Sequence, residues 1–485
     1  MADVEEEEGE KVLTEIERAS SMSAVQHPPE TNRSILKLPD LAFGIAWIIA
    51  VAAMVGIAID YGWDEIGTSN YDSAHKKKMA VKHLIRIFIV AFLFALAVAQ
   101  VLMHVMMRFG GLMIHASLFM IEGLLLATAI LCGQYSRWYL GFFFAVCCFM
   151  TLCFHFFARH RIAFAAATLH VGCEIVLSYH VLQVIGFVFA ITAVGFFFIF
   201  ALAIYGFYNY KTHKDASSKE IAIAIVCFIL IFFWTQQVFK YIIIATTAGT
   251  SQSWWYGRLP SLVVHPAVDA LARSCTYNLG SICFGALFVA IVETLVVVVA
   301  YVRKKAKDYP GGCCVSCLLG CVQCCLGCCE AILDYINKYA FVYVGIHGYS
   351  FLYAGKQVVE LFSTHGLTAI GNDYFTDVVL FMNSVMIGLV TAMFGVFLVQ
   401  FGPDDWHEGA SDVEIVVGIF CGIGGLAVSS VVFALVDGAN KSVLVLFAEN
   451  PHILEHTHSA DYGRLSKVWT LIGNEIPEEE DEEKK

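Results

Sequence analysis

Three groups of residues in this chain have types and spacings suited to chemistry. Glu122, Glu293 and Glu360 stand in or near the middle of long apolar runs. A carboxylate there is costly, and by default it marks a substrate pathway, an ion site or a proton relay; the plainer alternative is a protonated or paired carboxyl that holds helices together. Trp234, Gln237 and Tyr241 lie at i, i+3 and i+7, so they project from one helical face. An indole face with an amide and an acid nearby suits a quaternary ammonium, which has no N–H to donate and is held by cation–π contact. The same residues also suit ordinary packing, with the amide bonded to a neighbouring backbone.

The third group is a thiol cluster. Eight of the 17 cysteines fall between Cys313 and Cys329, and Cys314, Cys317, Cys321, Cys324 and Cys328 step by 3, 4, 3, 4 into one helical stripe. Four readings stay open: a zinc site, which wants C-x-x-C units on turns rather than on a continuous helix; disulfides on an oxidising face; S-acylation at the cytosolic membrane surface; or small apolar side chains packing a short interfacial helix. His155, His160, His170 and His180 form no recognised ligand motif, so no metal or cofactor is expected. A Walker loop, a kinase set and a Ser-centred elbow are all missing, and with them any expectation of an enzyme or of ATP-driven pumping. Nor is there a basic patch for nucleic acid.

Membrane helices must position these groups. Of 485 residues, 58% are hydrophobic and 15% charged, with mean hydropathy +0.70. The apolar residues come in blocks of about 20, enough to cross ~30 Å of hydrocarbon. Backbone groups in lipid must bond within the segment, so an all-α polytopic membrane protein follows. Ten spans are expected near residues 41–59, 84–107, 110–132, 138–157, 181–205, 221–246, 279–301, 339–362, 374–401 and 415–436. Between the fourth and fifth, residues 162–179 carry His170, Glu174 and Ser178 every fourth position, the pattern of an amphipathic helix lying at the interface. The cysteine stretch forms a helical connection ahead of the eighth span. Trp254-Trp255-Tyr256 suits the headgroup belt. The net charge of −12 comes largely from acidic runs at 5–8 and 478–483. Residues 1–40 and 438–485 are read as solvated tails around a transmembrane domain at 41–437. Both termini are placed in the cytosol, which leaves the sequons at Asn32 and Asn440 unused; the Lys and Arg content of the loops argues for the opposite orientation.

Several stretches resemble the choline transporter-like family, including its fungal, pH-nine-sensitive branch. They are Cys-Leu-Gly-Cys-Cys-Glu ending at Glu330, Asn337-Lys338-Tyr339-Ala340, the Ile346-to-Phe351 segment, Gly280-Ser281-Ile282-Cys283-Phe284-Gly285, the Arg159-His160-Arg161-Ile162 entry and Phe447-Ala448-Glu449-Asn450-Pro451. They occur in the family's order and cover about residues 85–465. The short loop after the first span, without sequons, favours the fungal-like branch. The resemblance implies carriage of choline or a related organic cation across a lipid bilayer, most naturally the plasma membrane, by alternating access. Trp234 would then supply the cation–π face, Gln237 and Tyr349 polar contacts, Tyr241 a neighbour on the same face, and Glu122 or Glu293 the counter-charge or proton coupling. Glu293 is acidic where the family suggests a basic or neutral residue. A non-transporting scaffold that docks partners on the cysteine helix, or a channel, are the alternatives.

Overall fold

The computed structural model describes residues 40–62, 71–134, 138–213, 218–257, 265–306, 312–365, 367–401 and 413–471. The acidic runs, the Asn32 sequon and the side chains of His160, Cys313 and Cys314 lie outside the described residues. Thirteen α-helices follow one another: α1 Leu41–Ile57, ending in a π turn Ala58–Gly62, α2 Tyr71–Gln134, α3 Trp138–Ser178, α4 His180–His213, α5 Ser218–Trp255, α6 Pro266–Cys275, α7 Leu279–Ala306, α8 Gly312–His347, α9 Phe351–His365, α10 Leu367–Phe401, α11 Val413–Glu449, α12 Pro451–Thr457 and α13 Ser459–Leu471. Among the described residues, nine helices are long and apolar enough to cross a membrane. Large apolar side chains cover much of their outer surface, as helices in lipid require. The chain is an all-α, multi-pass membrane protein.

Several boundaries differ from those read off hydropathy. The second and third expected spans are joined in α2, which is kinked at Phe109 (φ −125°, ψ 31°) just before Gly110-Gly111, a common cause of kinks. Residues 162–178 continue α3 without a break, and Phe164, Leu169, Val171, Cys173 and Val176 are buried in the main core. The helix expected to stop at Val436 runs on to Glu449 and buries Asn440, Lys441 and Ser442. Its polar residues looked like an exit from the membrane; they are instead paired inside the bundle.

The cysteine stretch and the segment after it are one helix, α8. The chain breaks later, at Gly348, whose φ of +71° favours glycine. The side chain of Asn278 donates to the Val344 carbonyl (3.1 Å), capping a backbone acceptor beside this break. Cys317, Cys321, Cys324, Cys325, Cys328 and Cys329 are exposed free thiols. They face out of the bundle, which removes the packing reading for these six.

The Gly-Ser-x-x-Phe-Gly stretch opens α7. Ser281 donates to Asp40 Oδ2 (3.1 Å) at the head of α1, and Gly285 lies beneath the rings of Phe341 and Phe351. At the end of α5, Trp254 and Trp255 are buried rather than set in a headgroup belt. Trp255 donates to the Asn450 carbonyl (3.2 Å), Trp254 stacks on His458 (3.8 Å between centroids), and Thr457 donates to the Trp255 carbonyl (3.0 Å). These contacts clamp the C-terminal segment under α5.

α5 is the central post, packed against α6, α7, α8 and α11. Where it crosses α8, a Cβ on Gly345 would stand 2.3 Å from the Ala245 carbonyl oxygen. Gly345→Ala is therefore expected to force the two helices apart and cost about 1–3 kcal/mol. Gly355, where an added Cβ would meet nothing within 4 Å, should tolerate alanine and gain up to about 1 kcal/mol of helix propensity. Thermal unfolding of the two purified variants checks the contrast, and equal melting temperatures would refute the close crossing.

Candidate functional site: a buried charge ladder beside an acidic cavity

Helical spacing brings a set of charges to one place. α5 carries Gln237, Lys240 and Tyr241, α7 carries Glu293, and α8 carries Glu330, Asp334 and Lys338 on successive turns. α10 contributes Asp377, and α11 contributes Asp437 and Lys441 one turn apart. Asp334 Oδ1 accepts from Lys240 Nζ (2.7 Å) and from the Tyr241 hydroxyl (2.9 Å). Lys338 Nζ stands 3.6 Å from Asp334, 3.7 Å from Asp377 and 3.3 Å from Asp437. The fully buried Lys441 donates to Asp377 (3.1 Å) and to Asp437. Three lysines thus alternate with three aspartates across four helices. Lys441 and Asp437 are buried, Lys338 nearly so, and Lys240, Asp334 and Asp377 are half-buried; in a low-dielectric interior the buried members persist only when paired and hydrogen-bonded.

At the α5 end of this ladder lies a cavity of about 310 Å³, lined by Gln237, Lys240, Val289, Glu293, Gly327, Glu330, Ala331 and Asp334. Its ionisable lining is three carboxyl groups and one lysine. The Gln237 amide donates to Glu293 Oε1 (2.5 Å). The second oxygen of Glu293 and the amide oxygen of Gln237 are buried acceptors with no partner. The cavity thus has an excess of carboxyl groups over basic ones, with two unsatisfied acceptors buried behind its wall.

Of the residues singled out by sequence, Gln237 and Glu293 line the cavity. Tyr241 sits behind it, its hydroxyl on Asp334 and its ring 4.1 Å from that of Phe341. Trp234, one turn earlier, is buried and donates its indole N–H to the Cys283 carbonyl (2.9 Å), outside the cavity lining. Tyr349 lies at the α8–α9 break, stacked on His347 (5.0 Å) and against Tyr353 (4.8 Å). Glu122 joins a different group: its Oε1 is 3.0 Å from His155 Nδ1, whose Nε2 is 2.9 Å from His115 Nδ1. Glu360, on α9, accepts from Gln357 (3.4 Å). The lysines and aspartates of the ladder were not identified as a site from sequence. The available signal was i, i+4 spacing of opposite charges at 334/338 and 437/441 inside apolar segments.

Lys441→Met should leave Asp437 and Asp377 short of a partner and destabilise the protein by about 3–5 kcal/mol. Lys441→Met combined with Asp437→Leu removes one charge of each sign and should recover most of that loss. Denaturation of the single and double variants measures both. A single variant as stable as the parent would mean that these ion pairs do not hold α10 and α11 in place.

The model of the family described as plasma-membrane choline transporter matches residues 142–452, which include the whole ladder and cavity. Protein PNS1 of Mycosarcoma maydis is 30% identical over 276 residues, 54% of this chain and 48% of that protein. Protein PNS1 of Debaryomyces hansenii is 24% identical over 330 residues, 66% and 64% of the two chains. Protein PNS1 of Candida albicans is 24% identical over 470 residues, 91% and 88% of the two chains. The chain thus spans about half the length of the first of these relatives and under two thirds of the second. The helices that carry the buried ladder and the acidic cavity are those that the family model covers, and the chain belongs to the plasma-membrane choline transporter family.

Proposed function

We infer that the chain is a secondary carrier of choline or a related small organic cation, working at the plasma membrane by alternating access. The observation that carries this reading is the acidic cavity between α5, α7 and α8. Its volume lies at the lower end of the ~300–1,000 Å³ range of small-ligand sites, and its surplus of carboxyl groups selects for positive charge. Glu293 and Glu330 would balance the incoming cation, with Gln237 held against Glu293 beside them. Asp334 is shared among Lys240, Tyr241 and Lys338. A cation entering the cavity therefore competes with Lys240 for Asp334, and this competition ties occupancy to the ladder that links α8, α10 and α11.

One observation favours a variation on this substrate. None of the eight lining residues is aromatic, whereas a quaternary ammonium is usually held by ring faces. Unpartnered acceptors suit an amine with N–H groups.

Uptake of radiolabelled choline into vesicles containing the purified protein, against empty vesicles, tests the reading. Uptake above the empty control is expected, and Glu293→Gln should reduce it about tenfold or more, equivalent to about 1.4 kcal/mol. Uptake equal to the empty control removes choline as the substrate. Unchanged transport in Glu293→Gln removes the cavity as the site. Ethanolamine competing better than choline would establish the N–H-bearing amine. Substrate should also stabilise the fold by RT ln(1 + [L]/Kd), read as a raised melting temperature, and a scaffold would ignore every cation offered.

A further inference from the structure

A second cluster, remote in sequence from the cavity, has the makings of a metal site. His170 and Glu174 stand one turn apart on α3, and Asp461 comes from the first turn of α13. His170 Nε2 is 3.7 Å from Glu174 Oε2 and 4.0 Å from Asp461 Oδ1, and the three ligand atoms lie within 4.8 Å of one another. The other ring nitrogen, Nδ1, donates to the Met107 carbonyl of α2 (2.6 Å). That bond fixes the tautomer and leaves the Nε2 lone pair facing the two carboxylates, the arrangement in which a backbone carbonyl orients a metal-binding imidazole. Asp461 is buried while Glu174 is half-buried. The cation near them is Arg464, which contacts both His170 Nε2 and Asp461 Oδ1. Its side chain is 56% exposed, so it can swing into water. Two carboxylates against one guanidinium leave a net negative charge when the imidazole is neutral. α13 also exposes Lys467 and Thr470, so dissolved ions can reach this end of α3.

We propose that His170, Glu174 and Asp461 bind a divalent transition-metal ion of the zinc type, which displaces Arg464 and staples α13 to α3. One nitrogen, two carboxylate oxygens and a water complete a four-coordinate site. Tetrahedral ligands about 2.0–2.1 Å from the metal are about 3.3–3.5 Å apart, so side-chain movements of a few tenths of an ångström up to about 1.5 Å bring the three atoms to the ion. The staple has a route to the ladder. Gly172, two residues from His170, lies so close to Asn440 that a Cβ would be 3.1 Å from its backbone nitrogen, and Asn440 precedes Lys441.

The test uses the full chain without an affinity tag, its thiols alkylated with N-ethylmaleimide so that the cysteine stretch takes up no metal. After chelator treatment, zinc chloride is titrated by calorimetry and the melting temperature is followed. One tight zinc per chain and a raised melting temperature are expected. His170→Gln and Asp461→Asn should each weaken binding at least tenfold. Arg464→Gln, which removes the competing cation, should bind zinc as tightly as the parent or tighter. Parent and His170→Gln binding alike overturns the proposal. So does an Arg464→Gln protein that loses the zinc-dependent stabilisation, because the cluster would then be an ion-pair clasp. Should His170→Gln fail to fold, cobalt added to the parent protein decides: the intense visible bands of a four- or five-coordinate ion support the site, and the weak bands of hydrated cobalt overturn it.

Discussion

A charge taken out of water into an apolar bundle must find a partner there, and most of this structure's interior answers to that demand. Coulomb attraction at about 3–4 Å is several times stronger in the interior than in bulk water, but the desolvation cost of each ion is of similar size. Neither sign is stable alone. Lys338 is held by aspartates from three helices, and Lys441 by two. α8, α10 and α11 are therefore placed by charge as well as by shape, whereas α10 and α11 also meet through close contacts at Gly388, Gly395 and Gly422. The cavity sits where the ladder stops alternating and acids are in excess.

The helix α5 joins the two parts. Its middle presents Gln237 and Lys240 to the cavity, while Tyr241 and Trp234 spend their polar atoms on Asp334 and on the Cys283 carbonyl. Its end is clamped under the C-terminal segment through Trp254 and Trp255. A perturbation of that segment thus reaches the helix that lines the cavity without touching the cavity itself.

Helices and membrane class were legible in the sequence because an apolar block of about 20 residues has one stable solution in lipid. The family was legible because short motifs occur in order, and one of them, Gly-Ser-x-x-Phe-Gly, proves to tie α7 to α1 and to seat two phenylalanines. The lining of the candidate site was legible only in part. Gln237 and Glu293 stood out because each is a polar group inside an apolar run. Lys441 did not, since a lysine past an apolar segment reads as the way out of the membrane; its partner Asp377 is 64 positions away, and hydropathy carries no information about such pairs. Trp234 and Gln237 share a helical face in sequence, but periodicity cannot tell that the indole N–H is already engaged by α7. Glu122 failed to join Glu293 for the same reason: its partner, His155, lies on another helix.

The contact between Gly345 and Ala245 leaves no clearance for sliding. The second half of α8 and the middle of α5 must then travel as a single rigid piece. The first half of α8 has no such crossing: among residues 315–336 only Ser316 is buried, and polar contacts hold it instead, Arg303 to Gln323 (3.0 Å) and Lys240 to Asp334 (2.7 Å). That half supplies Gly327, Glu330 and Ala331 to the cavity wall. One wall of the chamber therefore rests on backbone contact and the other on polar contacts beside the thiol-bearing face, so a change in the charge of Asp334 or its partners bears on the second wall and not the first.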